Sequence, residues 1–259
     1  MGRAALTGRR RSGARPTARS EVQAFRAERI GAIDALRGAA ICLMIVYHFA
    51  FDLNQPWVRV LHTDFNNSPY WLAFRGLIVS VFLLTVGISL RLAHEARIQP
   101  VRFWARLGRI AGCAVLVSLG SYLMFPKTFI SFGILHCIAV SSLLAWPLAG
   151  KPVPALCLGV GAIAIGNLVQ WPLFDAPALH WIGMMTHKPV TEDYVPLLPW
   201  IGVVLIGISL GALLRSSSRL SMFERVAPLS LRWLGRHSLV IYMLHQPVLL
   251  GALWLVFGR

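Results

Sequence analysis

Hydrophobic residues along this chain cluster in long runs that polar segments separate. Each run is near the roughly 20 apolar residues that an α-helix needs to cross a bilayer. The runs cover residues 33–53, 71–92, 104–125, 130–149, 153–173, 197–214 and 234–257. The pattern predicts an all-α polytopic membrane protein with about seven transmembrane helices, and residues 31–259 form one transmembrane domain.

The composition supports this fold class. Of the 259 residues, 56% are hydrophobic and only 14% are charged. Soluble domains are usually about a quarter charged and less than half apolar. Together with the low counts of 22 Gly and 4 Cys, these figures exclude a disordered, collagen-like or disulfide-stapled chain. No separate soluble domain is expected.

Positive charge is distributed unevenly and predicts the orientation. The net charge is +15, which on a soluble chain would suggest nucleic acid. In a membrane protein, Lys and Arg concentrate in cytoplasmic loops. Alternating the seven spans places 20 of the 25 Lys and Arg inside and five outside. The N-terminus is therefore predicted to be cytoplasmic and the C-terminus external, in a cell inner membrane. Residues 1–30 are predicted to be a disordered basic cytoplasmic arm, and no nucleic-acid partner is expected.

The first span contains four ionisable residues, which is unusual because each costs about 2.5 kcal/mol or more at mid-helix. They are Asp34, Arg37, His48 and Asp52. At about 100° per residue, all four fall on one stripe of roughly 60°. This stripe is predicted to face the interior of the helix bundle and not lipid.

Two interpretations of this stripe remain open. Asp34 with Arg37 and His48 with Asp52 have the i,i+3 and i,i+4 spacings of ion pairs, which would tie helices together. Alternatively, Asp52 orients the His48 imidazole so that its other nitrogen acts as a base. The spacing alone does not separate these interpretations.

Further polar side chains are predicted at similar depths in other spans. His136 lies in the fourth span, His245 near the middle of the seventh and Arg75 near the outer start of the second. Several such residues at a shared level predict a polar intramembrane cavity. A haem bound by two histidines and a passage for a transporter or flippase are alternatives. Motifs such as HExxH or CxxCH do not occur, so no metal site and no bound cofactor are predicted.

Several motifs together resemble the catalytic domain of the heparan-alpha-glucosaminide N-acetyltransferase family, over about residues 29–256. The first motif runs from Ile33-Asp34-Ala35-Leu36-Arg37-Gly38 to Tyr47-His48. The spacing of Arg37 and His48 is also similar to that in the related acyltransferase-3 membrane proteins. The remaining motifs are Phe132-Gly133-Ile134-Leu135-His136, Tyr194-Val195-Pro196 with Leu198-Pro199-Trp200, Leu234-Gly235-Arg236-His237-Ser238, and Tyr242-Met243-Leu244-His245-Gln246-Pro247.

The resemblance implies transfer of an acyl group from a cytoplasmic acyl-CoA co-substrate, such as acetyl-CoA, to an acceptor across the membrane. A small sugar or a lipid-linked envelope glycan is the expected acceptor. Arg37 would bind the donor phosphates, beside Asp34, and His48 with Asp52 would be the base. His62, in the first outer loop, is the rival base because the family uses a loop histidine.

The remaining candidate residues belong to the same expected site. His136 and His245 complete the predicted catalytic set. Arg75, His136 or Trp200 would stabilise the oxyanion that develops on the acyl carbonyl.

Overall fold

A computed structural model of the protein describes residues 31–215 and 227–258. The predicted arm of residues 1–30 lies outside the described residues. The described segments contain α-helices and short 3₁₀ turns and no β-strand, so the predicted all-α class is confirmed. The helices are α1 (Gly31–Leu53), α2 (Pro69–Glu95), α3 (Pro100–Met124), α4 (Ile134–Ala145), α5 (Pro152–Leu168), α6 (Leu197–Arg215), α7 (Leu229–Arg236) and α8 (Ser238–Phe257).

Five of the helices within the described residues are long and apolar enough to cross a membrane, namely α1, α2, α3, α6 and α8. The apolar segment Ile134–Leu148 and helix α5 are shorter. Each of the seven predicted runs coincides with one of these helices. The protein is therefore a multi-pass membrane protein, while the count of seven spans and the orientation stay predictions. The short helix α7 was not predicted as a separate element.

Helix α6 packs closely against α2 and α5 and less extensively against α4. Glycines allow this close approach. A Cβ at Gly87 would collide with the Val204 carbonyl, and a Cβ at Gly207 would collide with the Leu84 carbonyl. Gly159 and Gly202 make the equivalent contact between α5 and α6. Small residues at helix crossings are the usual means of bringing two backbones together in a membrane.

Helix α1 packs against α7 near its start and also contacts α8. A Cβ at Gly38 would meet the Leu231 carbonyl, and a Cβ at Gly235 would meet the Asp34 carbonyl. This contact brings Arg236 to the first turns of α1. We call this the arginine end of the bundle, because Arg37, Arg102 and Arg236 lie there.

Two long loops, residues 54–68 and 169–196, cover the opposite end, which we call the loop end. In the first loop, Phe65 is buried and its ring lies 4.2 Å from that of Trp71 on α2. In the second loop, the Glu192 N–H donates to the Thr128 carbonyl (3.0 Å) and the Val195 N–H to the Phe132 carbonyl (3.2 Å). The second loop is therefore fastened to the segment that precedes α4.

Candidate active site

Two histidines meet between α1 and α8 in the half of the bundle nearer the loop end. The ring centroids of His48 and His245 are 4.9 Å apart. The prediction that polar side chains of different spans lie at one level is therefore confirmed for His48 and His245. The His48 ring also makes an edge contact with Tyr47, at a centroid distance of 5.6 Å. The catalytic roles of His48 and His245 stay predictions.

The hydrogen bonds of His245 fix which of its ring nitrogens carries the proton. Its Nδ1 lies 2.6 Å from the Tyr242 carbonyl oxygen. Because a carbonyl only accepts, Nδ1 must carry the proton, and in the neutral ring Nε2 then presents a lone pair. Nε2 is buried and has no hydrogen-bond partner within the described part of the chain. This geometry gives His245 an available basic nitrogen.

Asp52 is not paired with His48, so the prediction of an i,i+4 contact between them is wrong. Asp52 is only 1% exposed, and its Oδ1 accepts a hydrogen bond from Gln246 Nε2 at 2.9 Å. The reason is local geometry: the short Asp52 side chain turns toward α8, where Gln246 offers a donor. A direct orienting role of Asp52 on the His48 ring has no support in this geometry.

His136 belongs to the start of α4 and not to the histidine pair. Its Nδ1 accepts the Gly133 N–H at 3.2 Å, as a helix cap does. Its Nε2 therefore carries the proton and donates to Ser118 Oγ at 3.2 Å, while that hydroxyl donates to the Ile130 carbonyl. Both ring nitrogens are occupied by structural hydrogen bonds, so His136 has no free lone pair for catalysis.

Charged residues interact with Tyr47 and Tyr242, the tyrosines whose rings contact the two histidines. Asp193 accepts the Ile134 N–H at 3.0 Å and lies beside the Tyr242 hydroxyl. Burial raises the pKa of Asp193 above its ordinary value, although the Ile134 N–H, Arg75 and Lys188 all favour the carboxylate. Arg75 also interacts with the Tyr47 hydroxyl. Arg75 and Asp193 thus reach the neighbours of the two histidines, Tyr47 and Tyr242, and the predicted placement of Arg75 beside the histidines themselves stays a prediction.

The structure does not bring His62 or Trp200 to the histidine pair. His62 is exposed on the loop that follows α1. Trp200 is partly buried on α6 and packs against the hydrophobic core. The roles of His62 as the rival base and of Trp200 as an oxyanion donor stay predictions.

The arginine end contains a cavity of about 530 Å³. Among residues 31–215 and 227–258, its charged lining consists of five arginines and a single carboxylate, so this part of the lining has an excess of positive charge. The arginines are Arg37, Arg102, Arg106, Arg109 and Arg236, and the carboxylate is Asp34. Such a surface attracts phosphates, for which arginine is the preferred partner in proteins.

Asp34 organises two of these arginines. Its Oδ1 lies 3.3 Å from Arg37 Nη1 and its Oδ2 lies 3.3 Å from Arg236 Nε. Arg37 also donates to the Ser89 hydroxyl at 3.0 Å. The predicted pair of Asp34 and Arg37 is therefore confirmed, and Arg236 extends it into a triad across α1 and α7.

The deep end of the cavity approaches the histidine pair. On α2 its lining extends from Ala93 to Phe82, which corresponds to about 17 Å of helix rise. On α8 it reaches Leu239, which lies six residues, or about 9 Å of rise, before His245. The arginine cavity and the histidine pair thus follow one another along the axis of the same helix bundle.

Several functional candidates were missed by the sequence prediction. It counted Arg102, Arg106 and Arg109 only among the cytoplasmic Lys and Arg residues that set the orientation. Their i, i+4, i+7 spacing, however, puts them on one helical face. Gln246 stood inside a quoted motif without a role. Asp193 and Glu192 lie in a loop, where no periodicity marks the buried side.

A comparison with known families agrees with this architecture. The profile of the family described as heparan-alpha-glucosaminide N-acetyltransferase, catalytic, matches residues 29–247 of the 259. No curated protein matches significantly, and no solved structure does. The match covers the helices that build both the arginine cavity and the histidine pair, and the chain therefore belongs to the heparan-alpha-glucosaminide N-acetyltransferase catalytic family, whose members are acetyltransferase-type enzymes.

Proposed function

We propose that this protein transfers an acyl group, most simply acetyl, from acyl-CoA to an acceptor on the other side of the membrane. The observation that carries the proposal is the arginine cavity whose deep end approaches the histidine pair. The acceptor is a small sugar or a lipid-linked glycan of the envelope. The membrane is the inner membrane, with the arginine end on the cytoplasmic side.

The charge of the cavity suits the donor. Coenzyme A carries a pyrophosphate and a further phosphate, and five lining arginines supply the opposing charge. Its pantetheine arm has 12 chain atoms and, at three bonds per 3.3–3.6 Å of extended chain, spans about 14 Å. Arg37 and His48 are 11 residues apart on α1, or about 16 Å of rise. A donor with phosphates at the arginines therefore presents its thioester near the histidines.

His245 is the proposed base. Its Nε2 takes the proton from the N–H or O–H of the acceptor, while the acceptor atom bonds to the thioester carbonyl carbon. The C–S bond then breaks, and the CoA thiolate leaves and recovers a proton from the imidazolium. His48, whose ring lies against His245, donates an N–H to the oxyanion as negative charge develops. Arg75 adds positive charge on the same side.

Purified protein with labelled acetyl-CoA and an extract of envelope glycans tests this proposal. Wild type should transfer label, and the substitution His245→Asn should reduce the rate by about 10²–10⁴-fold. The Asn amide keeps the hydrogen bond to the Tyr242 carbonyl but lacks a basic nitrogen. His245→Asn with normal turnover, or a wild type that binds no acetyl-CoA, contradicts the proposal.

A further inference from the structure

Three buried hydrogen-bond acceptors without partners lie together beside the histidine pair. They are Asp52 Oδ2, Gln246 Oε1 and His245 Nε2, and none has a partner within residues 31–215 and 227–258. A buried polar atom without a partner costs roughly 1–3 kcal/mol. Native proteins keep few such atoms, and those that remain are often explained by a ligand or by catalysis.

The side chains of Asp52, Gln246 and His245 have no hydrogen-bond donor left for a ligand. Gln246 uses its Nε2 to donate to Asp52 Oδ1 at 2.9 Å, so its Oε1 is the group that remains. His245 uses its Nδ1–H on the Tyr242 carbonyl. Asp52 as a carboxylate only accepts. The nearby charged residue that interacts with Asp52 is Glu192, which is also acidic. A ligand here must bring donors, and an anionic group is repelled.

Helical geometry sets the spacing of the acceptors. Asp52 follows His48 by four residues, so it lies about 6 Å further along the same face of α1. His245 faces His48 and Gln246 faces Asp52, which gives two acceptor positions at successive levels. Two hydrogen bonds of about 2.8 Å from neighbouring heteroatoms of one molecule can bridge such a step.

We infer that Asp52 and Gln246 form a recognition site for a second donor group on the acceptor, adjacent to the group that reacts. The acceptor class is a vicinal amino alcohol or diol, as in a sugar ring. The inference rests on the proposed function. His245 receives the reacting N–H or O–H, while Asp52 Oδ2 and Gln246 Oε1 hold the neighbouring one and set its orientation.

Small acceptors that differ by one hydroxyl test the inference. The probes are trans-2-aminocyclohexanol against cyclohexylamine, and trans-1,2-cyclohexanediol against cyclohexanol, each with labelled acetyl-CoA. Wild type should prefer the two-donor member of a pair by roughly ten- to hundred-fold in kcat/KM. Asp52→Asn should remove that preference while the rate with the one-donor member and the KM for acetyl-CoA change little.

Control variants separate recognition from folding. Asp64→Asn makes the same change on an exposed loop, where Asp64 binds its neighbours Asn66 and Asn67, and should keep the preference. Gln246→Met is the second variant if Asp52→Asn does not fold. No preference in wild type, no transfer to either two-donor probe, or an equal loss with both members of a pair in the variants overturns the inference. Failure of the proposed function shows separately, as absence of saturable acetyl-CoA binding.

Discussion

Neutralising one cavity arginine should weaken binding of the donor without changing the chemical step. Arg106→Gln is the chosen change, because Arg106 lines the cavity from the middle of the arginine stripe on α3. Two unit charges 4 Å apart interact by about 1 kcal/mol in water and about 4 kcal/mol at an effective dielectric constant of 20. The cavity lies between these limits, so the KM for acetyl-CoA should rise by roughly 10- to 100-fold.

The assay is the initial rate of transfer over a range of acetyl-CoA concentrations, at low and at high salt. The kcat should stay within a factor of about two, and the effect of the substitution should shrink in high salt because ions screen exposed charges. Arg97→Gln is the matched control, since Arg97 precedes α3 at the same end but does not line the cavity. An unchanged KM in Arg106→Gln, or an equal rise in both variants, would refute the assignment of the cavity to the donor.

Three further predictions concern the loop histidine, a buried carboxyl and a helix contact. His62→Ala should retain transfer close to the wild-type rate, because His62 is exposed and away from the histidine pair; a complete loss would transfer the role of base to His62. Burial raises the pKa of Asp193 above its ordinary 3.8, so the folded protein binds a proton here more tightly than the unfolded chain does. The resulting stabilisation is fully present below pH 3.8 and is lost as the pH rises through the raised pKa. The thermal stability of wild type relative to Asp193→Asn should therefore fall from pH 4 upward, and a constant difference would contradict the shift. Gly235→Ala should destabilise the fold by about 1–3 kcal/mol, because its Cβ would meet the Asp34 carbonyl, whereas Gly251→Ala has open space around it and serves as the control in thermal unfolding.

Much of the fold could be predicted because a bilayer imposes strong rules on a sequence. Long apolar runs must be helices, and ionisable residues within them must face the interior. The stripe on α1 follows from these rules, and so do the pair of Asp34 with Arg37 and the approach of His48 to His245.

The partners that come from distant segments could not be predicted. The contact of Asp52 with Gln246 joins residues 194 positions apart, and that of Asp34 with Arg236 joins residues 202 positions apart. Such pairs depend on how α1, α7 and α8 are rotated against one another, which no local spacing records. The capping role of His136 depends likewise on the turn before α4, whose shape is fixed by the second loop.

The most direct test of the central claim is the sidedness of transfer in sealed vesicles. Purified protein is reconstituted with an N-terminal cleavable tag, and its accessibility to protease identifies vesicles with the arginine end outward. Labelled acetyl-CoA added outside should then support transfer to an acceptor trapped inside, and the reverse orientation should give none. Equal transfer in both orientations, or label only on acceptor that shares the side of the donor, would contradict a route from the arginine cavity to the histidine pair.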